Sequence, residues 1–94
     1  METGTGDVLV KHSVSNDTET TSPEQKTAGR SEWDIDGMVS KTISVLKSVA
    51  VDATDRWTID GIGVTGQQHG MILLGRDGRP GTPFIGWQDR RCHE

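Results

Sequence analysis

The sequence predicts an α/β fold, and three observations carry that expectation. A single apolar stripe at three- and four-residue steps runs through residues 35–51 and is flanked on both sides by segments of a different period. Residues 57–66, "WTIDGIGVTG", are rich in β-branched residues and glycine. Beyond them, two short apolar runs bracket an Asp77-Gly78 turn signal. Strand, helix, strand and hairpin in succession define an α/β arrangement with one main helix, and no internal repeat is present.

In chain order, residues 7–14, "DVLVKHSV", alternate with a period of two, Val8, Val10, His12 and Val14 against Leu9, Lys11 and Ser13, which suits a half-buried strand. Residues 15–31 offer almost nothing to bury and contain Pro23 and Gly29, so a polar flexible loop is expected there. The helical stripe consists of Ile35, Met38, Val39, Ile43, Leu46 and Val49 or Ala50, and it ends near Val51. Asp34 is the expected N-cap, with Ser31 competing, because its carboxylate can accept a free backbone N–H. Gly37 weakens the first turn by roughly 1 kcal/mol relative to alanine. Residues 57–66 then read as a buried strand closely approached by another backbone, residues 71–74 as the next strand, and residues 84–87 as its return.

Composition narrows the function. Of 94 residues about a fifth are Leu, Ile, Val or Phe, near the border with disorder, so a large core is not available and marginal stability is expected. The net charge of -4 argues against a phosphate-backbone binder, and Arg90 with Arg91 does not make a basic patch; nucleic acid is not an expected partner. No run of 18 apolar residues and no secretion signal appear, so the expectation is a soluble cytoplasmic protein that does not use a membrane. The single cysteine, Cys92, cannot form an internal disulfide. Cys92 and His93, even joined by His69 or His12, lack the spaced pairs of a zinc site, so no metal ligands are assigned. No serine sits in a motif that would supply a base and an orienting carboxylate, so no catalytic nucleophile is assigned either.

One interruption stands out. Gly66, Gln67, Gln68, His69 and Gly70 break an apolar run between two strand-like pieces, where side chains at a strand end can face a crevice. Amide and imidazole groups both donate and accept, an inventory suited to hydroxyl groups, and the two glycines would let the backbone turn and a ligand approach. The same residues equally suit a polar turn that satisfies its own backbone. Trp87 is open to two readings as well, as a core residue or as a ligand platform. Arg90 and Arg91 suit a solvated edge or a salt bridge.

Residues 61–91, "GIGVTGQQHGMILLGRDGRPGTPFIGWQDRR", resemble the early part of the FGGY carbohydrate kinase family: a strand, a T-G-Q-x-H-G turn, a hairpin, then a W-Q-D-x-R segment. The similarity is closest to members acting on ketoses, the xylulokinases and sedoheptulokinases, and "WQDRRC" leans toward the latter. "SEWDIDGMVSKTI" is similar to the family's helix entrance, with Glu32 and Asp34 at matching places, and "ETGTGDVLV" to the second strand of its opening hairpin. The resemblance implies a partial ribonuclease H-like (actin-like ATPase) domain with a mixed sheet. Residues 1–94 are then the incomplete N-terminal, sugar-side domain of a carbohydrate kinase.

The resemblance also implies roles. Gln68 and His69 would contact the sugar, and Trp87 would lie beside the same pocket; Asp89 and Arg90 would be structural. Glycerol kinases carry an Arg-Glu pair where this chain has Gln68-His69, so a larger polyhydroxy substrate is expected. ATP and Mg2+ serve the complete family member, yet neither is expected to bind this chain alone. The phosphate loop would precede these residues, and the catalytic aspartate and nucleotide domain would follow them; "GTG" at residues 4–6 lacks the strand and aspartate of such a loop. The expected partners are a small-molecule sugar and the remainder of the kinase. The competing reading is a non-enzymatic α/β module that binds a sugar or a subunit.

Overall fold

The computed structural model describes residues 1–66 and 69–93. Its longest element, α2, spans Ile35–Ala53, and its cap is the expected one: Asp34 has extended backbone and its carboxylate accepts the Asp36 N–H at 3.1 Å. The helix continues two residues past the predicted end, to Ala53, and Thr54 closes it with its N–H on the Ala50 carbonyl at 3.0 Å. Gly37 has a packing reason. A Cβ there would lie 2.7 Å from an Asp34 carboxylate oxygen and 3.1 Å from a Thr18 methyl, so the glycine lets the chain at Thr18 approach the first turn.

One strand of the sheet falls within the predicted strand at residues 84–87, and the other forms where the sequence reading placed none. β1, Glu32–Trp33, pairs antiparallel with β2, Phe84–Ile85, in the register Glu32 to Ile85 and Trp33 to Phe84. Single bridges extend it on both sides, Glu19 to Trp33 and Met71 to Ile85. Every pairing among the described residues is antiparallel, whereas a mixed sheet was expected. Residues 15–31 are likewise not all loop. Thr18 and Thr20 exchange backbone hydrogen bonds with Asp34 and Glu32, Thr18, Thr21 and Ser31 are buried, and a short helix, α1, spans Pro23–Thr27. A capping box starts α1: the Ser22 hydroxyl accepts the Gln25 N–H and the Gln25 side chain accepts the Ser22 N–H.

The expected strand at residues 71–74 is reduced to single bridges at Met71 and Leu74, and two other expected strands do not form. Residues 7–14 run beside α2, held by side chains, His12 Nε2 to Asp52 at 2.5 Å and, just beyond, Lys41 to Asp17 at 2.8 Å. Residues 58–66 are extended, and their backbone makes no hydrogen bond among the described residues. Between these segments and α2 lies an apolar groove of about 700 Å3, bounded by Leu9, Val10, Ile43, Leu46, Trp57 and Ile59. A strand needs a partner chain to satisfy its N–H and C=O groups, and neither segment has one here.

The consequence is an open molecule. No hydrophobic side chain among the described residues is buried, and the accessible surface is 7785 Å2, against about 5,300 Å2 for a folded monomer of this mass. The radius of gyration is 17.3 Å, where a compact domain of about 100 residues has about 13 Å. Order is concentrated in α2 and in the polar junction around β1 and β2.

Candidate functional site

Residues 71–86 position the site. Met71 and Ile85 exchange both backbone hydrogen bonds, at 3.0 and 2.9 Å. At the far end the predicted Asp77-Gly78 turn closes with Gly78 at φ 77°, the Gly78 N–H on the Gly75 carbonyl at 3.0 Å and the Gly75 N–H on the Arg79 carbonyl at 2.8 Å. Between these ends the return chain gains two residues on the outgoing one. Pro83 has no N–H for the ladder, and the Thr82 hydroxyl accepts the Leu73 N–H at 3.1 Å instead.

The pairing of these two chains ends at Met71 and Ile85, since the Gly86 N–H turns to the Ser31 carbonyl; His69 precedes that bridge by two residues and Trp87 follows it by two. His69 has φ 42°, the left-handed backbone that ends the strand, and its side chain is exposed. Gly70 is not open to a ligand as expected: a Cβ there would lie 2.0 Å from Phe84 Cζ, so its place is taken by the aromatic ring. Gly66 faces open space. Gln67 and the predicted sugar contact Gln68 lie outside the described residues.

Trp87 is 59% exposed, in a chain with no buried hydrophobic side chain among the described residues. It follows Gly86 in a tight turn closed by the Asp89 N–H on the Gly86 carbonyl at 3.0 Å. Both ends of that turn are fastened to Ser31, through the Gly86 N–H on the Ser31 carbonyl at 2.9 Å and the Ser31 N–H on Asp89 Oδ2 at 2.8 Å. Asp89, with 3% of its side chain exposed, also holds Arg91 through a two-pronged contact, Nε to Oδ1 at 2.8 Å and Nη2 to Oδ2 at 2.6 Å. Arg91 Nη2 reaches Glu32 at 2.6 Å, and the Arg90 N–H donates to the Gly29 carbonyl at 2.6 Å. Hydrogen bonds from Arg91 hold the Asp89 carboxyl well below the usual carboxylate range, and those to Asp89 and Glu32 push the Arg91 guanidinium above its own. Asp89 therefore has a structural role, and its ionic partner is Arg91. Ser31 and Glu32 were missed as members of this junction. The D-x-R spacing of Asp89 and Arg91 was the available signal, while the partners 58 and 59 residues away carried none.

Chemically, an exposed indole offers an apolar face and an exposed imidazole offers donor and acceptor atoms, groups that each suit a polyhydroxy compound. No cluster of three potential metal ligands occurs among the described residues. The turn at residues 2–7 does not fit a phosphate. Its Gly6 N–H is taken by the Glu2 carbonyl at 2.8 Å, and the Thr5 hydroxyl sits 2.9 Å from both the Glu2 and the Asp7 carboxylates, which would repel an anion. The groove beside α2 is mainly apolar, with Glu2, Thr3, Lys47, Thr58 and Asp60 among its lining, and it contains none of the predicted sugar contacts.

The chain belongs to the FGGY family of carbohydrate kinases, whose N-terminal domain matches residues 2–94. Among curated proteins it is similar to the xylulose kinase of Staphylococcus xylosus, 32% identical over 89 residues, covering 95% of this chain and 17% of that protein. It is similar also to the xylulose kinase of Bacillus subtilis (strain 168), 37% identical over 68 residues, covering 71% of this chain and 14% of that one. The chain thus spans about a sixth of the length of these relatives. No solved structure matches it. None of its helices, among the described residues, is long and apolar enough to cross a membrane.

Proposed function

We propose that this chain is the sugar-side part of an ATP-dependent ketose kinase, with Gln68, His69 and Trp87 on the sugar and a ribonuclease H-like fold completed by further sequence. The observation that supports the reading is the match of residues 2–94 to the N-terminal domain of a carbohydrate kinase family, with His69 and Trp87 each two residues from the Met71 to Ile85 bridge. The likeness to two xylulose kinases favours a ketulose as the sugar, with xylulose before sedoheptulose. ATP and Mg2+ belong to other parts of such an enzyme, because the one glycine-containing turn near the start is lined by carboxylates. The chain alone therefore transfers no phosphate, and it works in the cytoplasm, where ATP and free ketoses meet.

A chimaera tests this. The matching segment of the Bacillus subtilis xylulose kinase is replaced by this chain, and ketose-dependent ATP consumption is followed in a coupled assay. The expected result is xylulose phosphorylation by the chimaera that falls on replacing His69 or Trp87, with background turnover from the 94-residue chain. Full activity of the His69→Ala and Trp87→Ala chimaeras would remove both residues from the sugar.

A further inference from the structure

We infer that Asp89 and Arg91 are positioning residues that hold Trp87 in its sugar-facing place, with the buried Ser31 as their anchor; this rests on the assignment of Trp87 to the sugar. Trp87 touches the rest of the molecule through a turn of four residues, and nothing in a turn of that size fixes an exposed indole by itself. Here both ends are fixed. Gly86 donates to the Ser31 carbonyl at 2.9 Å, Asp89 accepts the Ser31 N–H at 2.8 Å, and Ser31 is 5% exposed. The two bonds run to the same residue, so the turn is clamped like a strand rung closed by a side chain.

Arg91 makes the clamp one-sided. Its fork occupies both carboxylate oxygens of Asp89, at 2.8 and 2.6 Å, and leaves the carboxylate one orientation in which it still reaches Ser31. The further bond from Arg91 to Glu32 at 2.6 Å ties the clamp to β1. Gly86 contributes by its lack of a side chain: a Cβ would lie 2.9 Å from the Ser31 hydroxyl oxygen and 3.2 Å from Trp33 Nε1. None of these groups needs to touch a sugar, and their effect on it passes through the indole.

The test uses the 94-residue chain with 15N-labelled tryptophan and backbone amides, the three indole signals being assigned by single Trp→Phe changes. In Asp89→Asn and in Arg91→Lys, which keeps the charge but loses the fork, the Trp87 indole signal is expected to shift and broaden. The Gly86 and Arg90 amides should exchange at least about tenfold faster, while the Trp57 indole and the α2 amides stay put. In the chimaera the same changes should raise the ketose KM about tenfold and leave kcat and the KM for ATP near the parent values. An unmoved Trp87 indole with unchanged Gly86 exchange in both variants overturns the inference. So does a ketose KM unchanged in variants whose indole has moved, provided Trp87→Ala itself raises it. If Trp87→Ala leaves the KM unaltered, the sugar assignment fails, and the exchange data still decide whether the clamp holds the turn. Should Asp89→Asn fail to fold, Arg91→Lys alone decides by the same readings.

Discussion

Replacing Gly70 by alanine will destabilise the contact between β2 and the chain at Gly70, and the cause is the ring of Phe84. The added methyl carbon would lie 2.0 Å from Phe84 Cζ, 2.6 Å from Cε2 and 2.9 Å from Cε1. Nonbonded carbons settle at about 3.5–4.0 Å, so the ring must withdraw by about 1.5–2 Å. The backbone of β2 cannot follow it, because β2 is paired on one side with Trp33 and on the other through the Met71 to Ile85 bridge, so the ring must change rotamer. Forced overpacking of this kind costs about 1–3 kcal/mol. In a domain of this size each kcal/mol is worth about 4–8 °C in Tm, so thermal melting followed by circular dichroism should show a fall of at least several degrees. The double variant Gly70→Ala with Phe84→Ala supplies the control, since without the ring the methyl has space and the added penalty of Gly70→Ala should vanish. An undiminished penalty in the Phe84→Ala background, or a Gly70→Ala protein as stable as the parent, would refute the steric argument and return Gly70 to a purely conformational role.

Three other outcomes are expected. Because the Asp89 carboxyl is held below its ordinary value, it contributes stability that is complete above the unfolded carboxylate pKa of about 4 and is lost as pH falls toward the folded value; an acid titration of tryptophan fluorescence should therefore show a strongly acid transition that Asp89→Asn flattens. Asp34→Ala removes the cap of α2 and should cost about 1 kcal/mol, seen as a lower helical far-UV signal and a lower denaturant midpoint. In hydrogen exchange the amides of residues 58–66 should exchange at rates close to those of an unfolded peptide, while those of Met71, Ile85, Gly86 and Arg90 are protected; protection along 58–66 in the monomer would contradict the absence of backbone partners there.

The helix was legible because its signals are local: Asp34 caps, the stripe repeats, and no distant residue is needed to satisfy its backbone. The Asp77-Gly78 turn was legible for the same reason. Strands are different. Residues 7–14 and 57–66 have sound strand composition, yet pairing decides whether a strand exists, and composition says nothing of a partner. Conversely Glu32 and Trp33 carry no strand pattern, and they pair because Ser31 and Arg91 bring the 84–91 segment alongside. At the candidate site, Trp87 and His69 could be read as aromatic and polar groups next to strand ends, and both lie two residues beyond the Met71 to Ile85 bridge. The Ser31, Glu32, Asp89 and Arg91 junction could not be read, because its members lie 58 and 59 residues apart and each alone resembles surface polarity.

The unpaired backbone of residues 58–66 shortly precedes His69 in the sequence, whereas Trp87 sits on a turn fastened at both ends. Half of the site is built in advance and half is not. Any strand that hydrogen-bonds along 58–66 removes conformational freedom amounting to roughly 1–2 kcal/mol for each residue it fixes. That ordering then no longer opposes a ligand that spans His69 and Trp87, so the ligand binds more tightly once the strand is in place. Linkage makes the relation mutual: a sugar bridging the two residues strengthens the hold on the strand by the same factor. Substrate and neighbouring strand are thereby effectors of one another, coupled by the backbone hydrogen bonds that nine consecutive residues leave unmade.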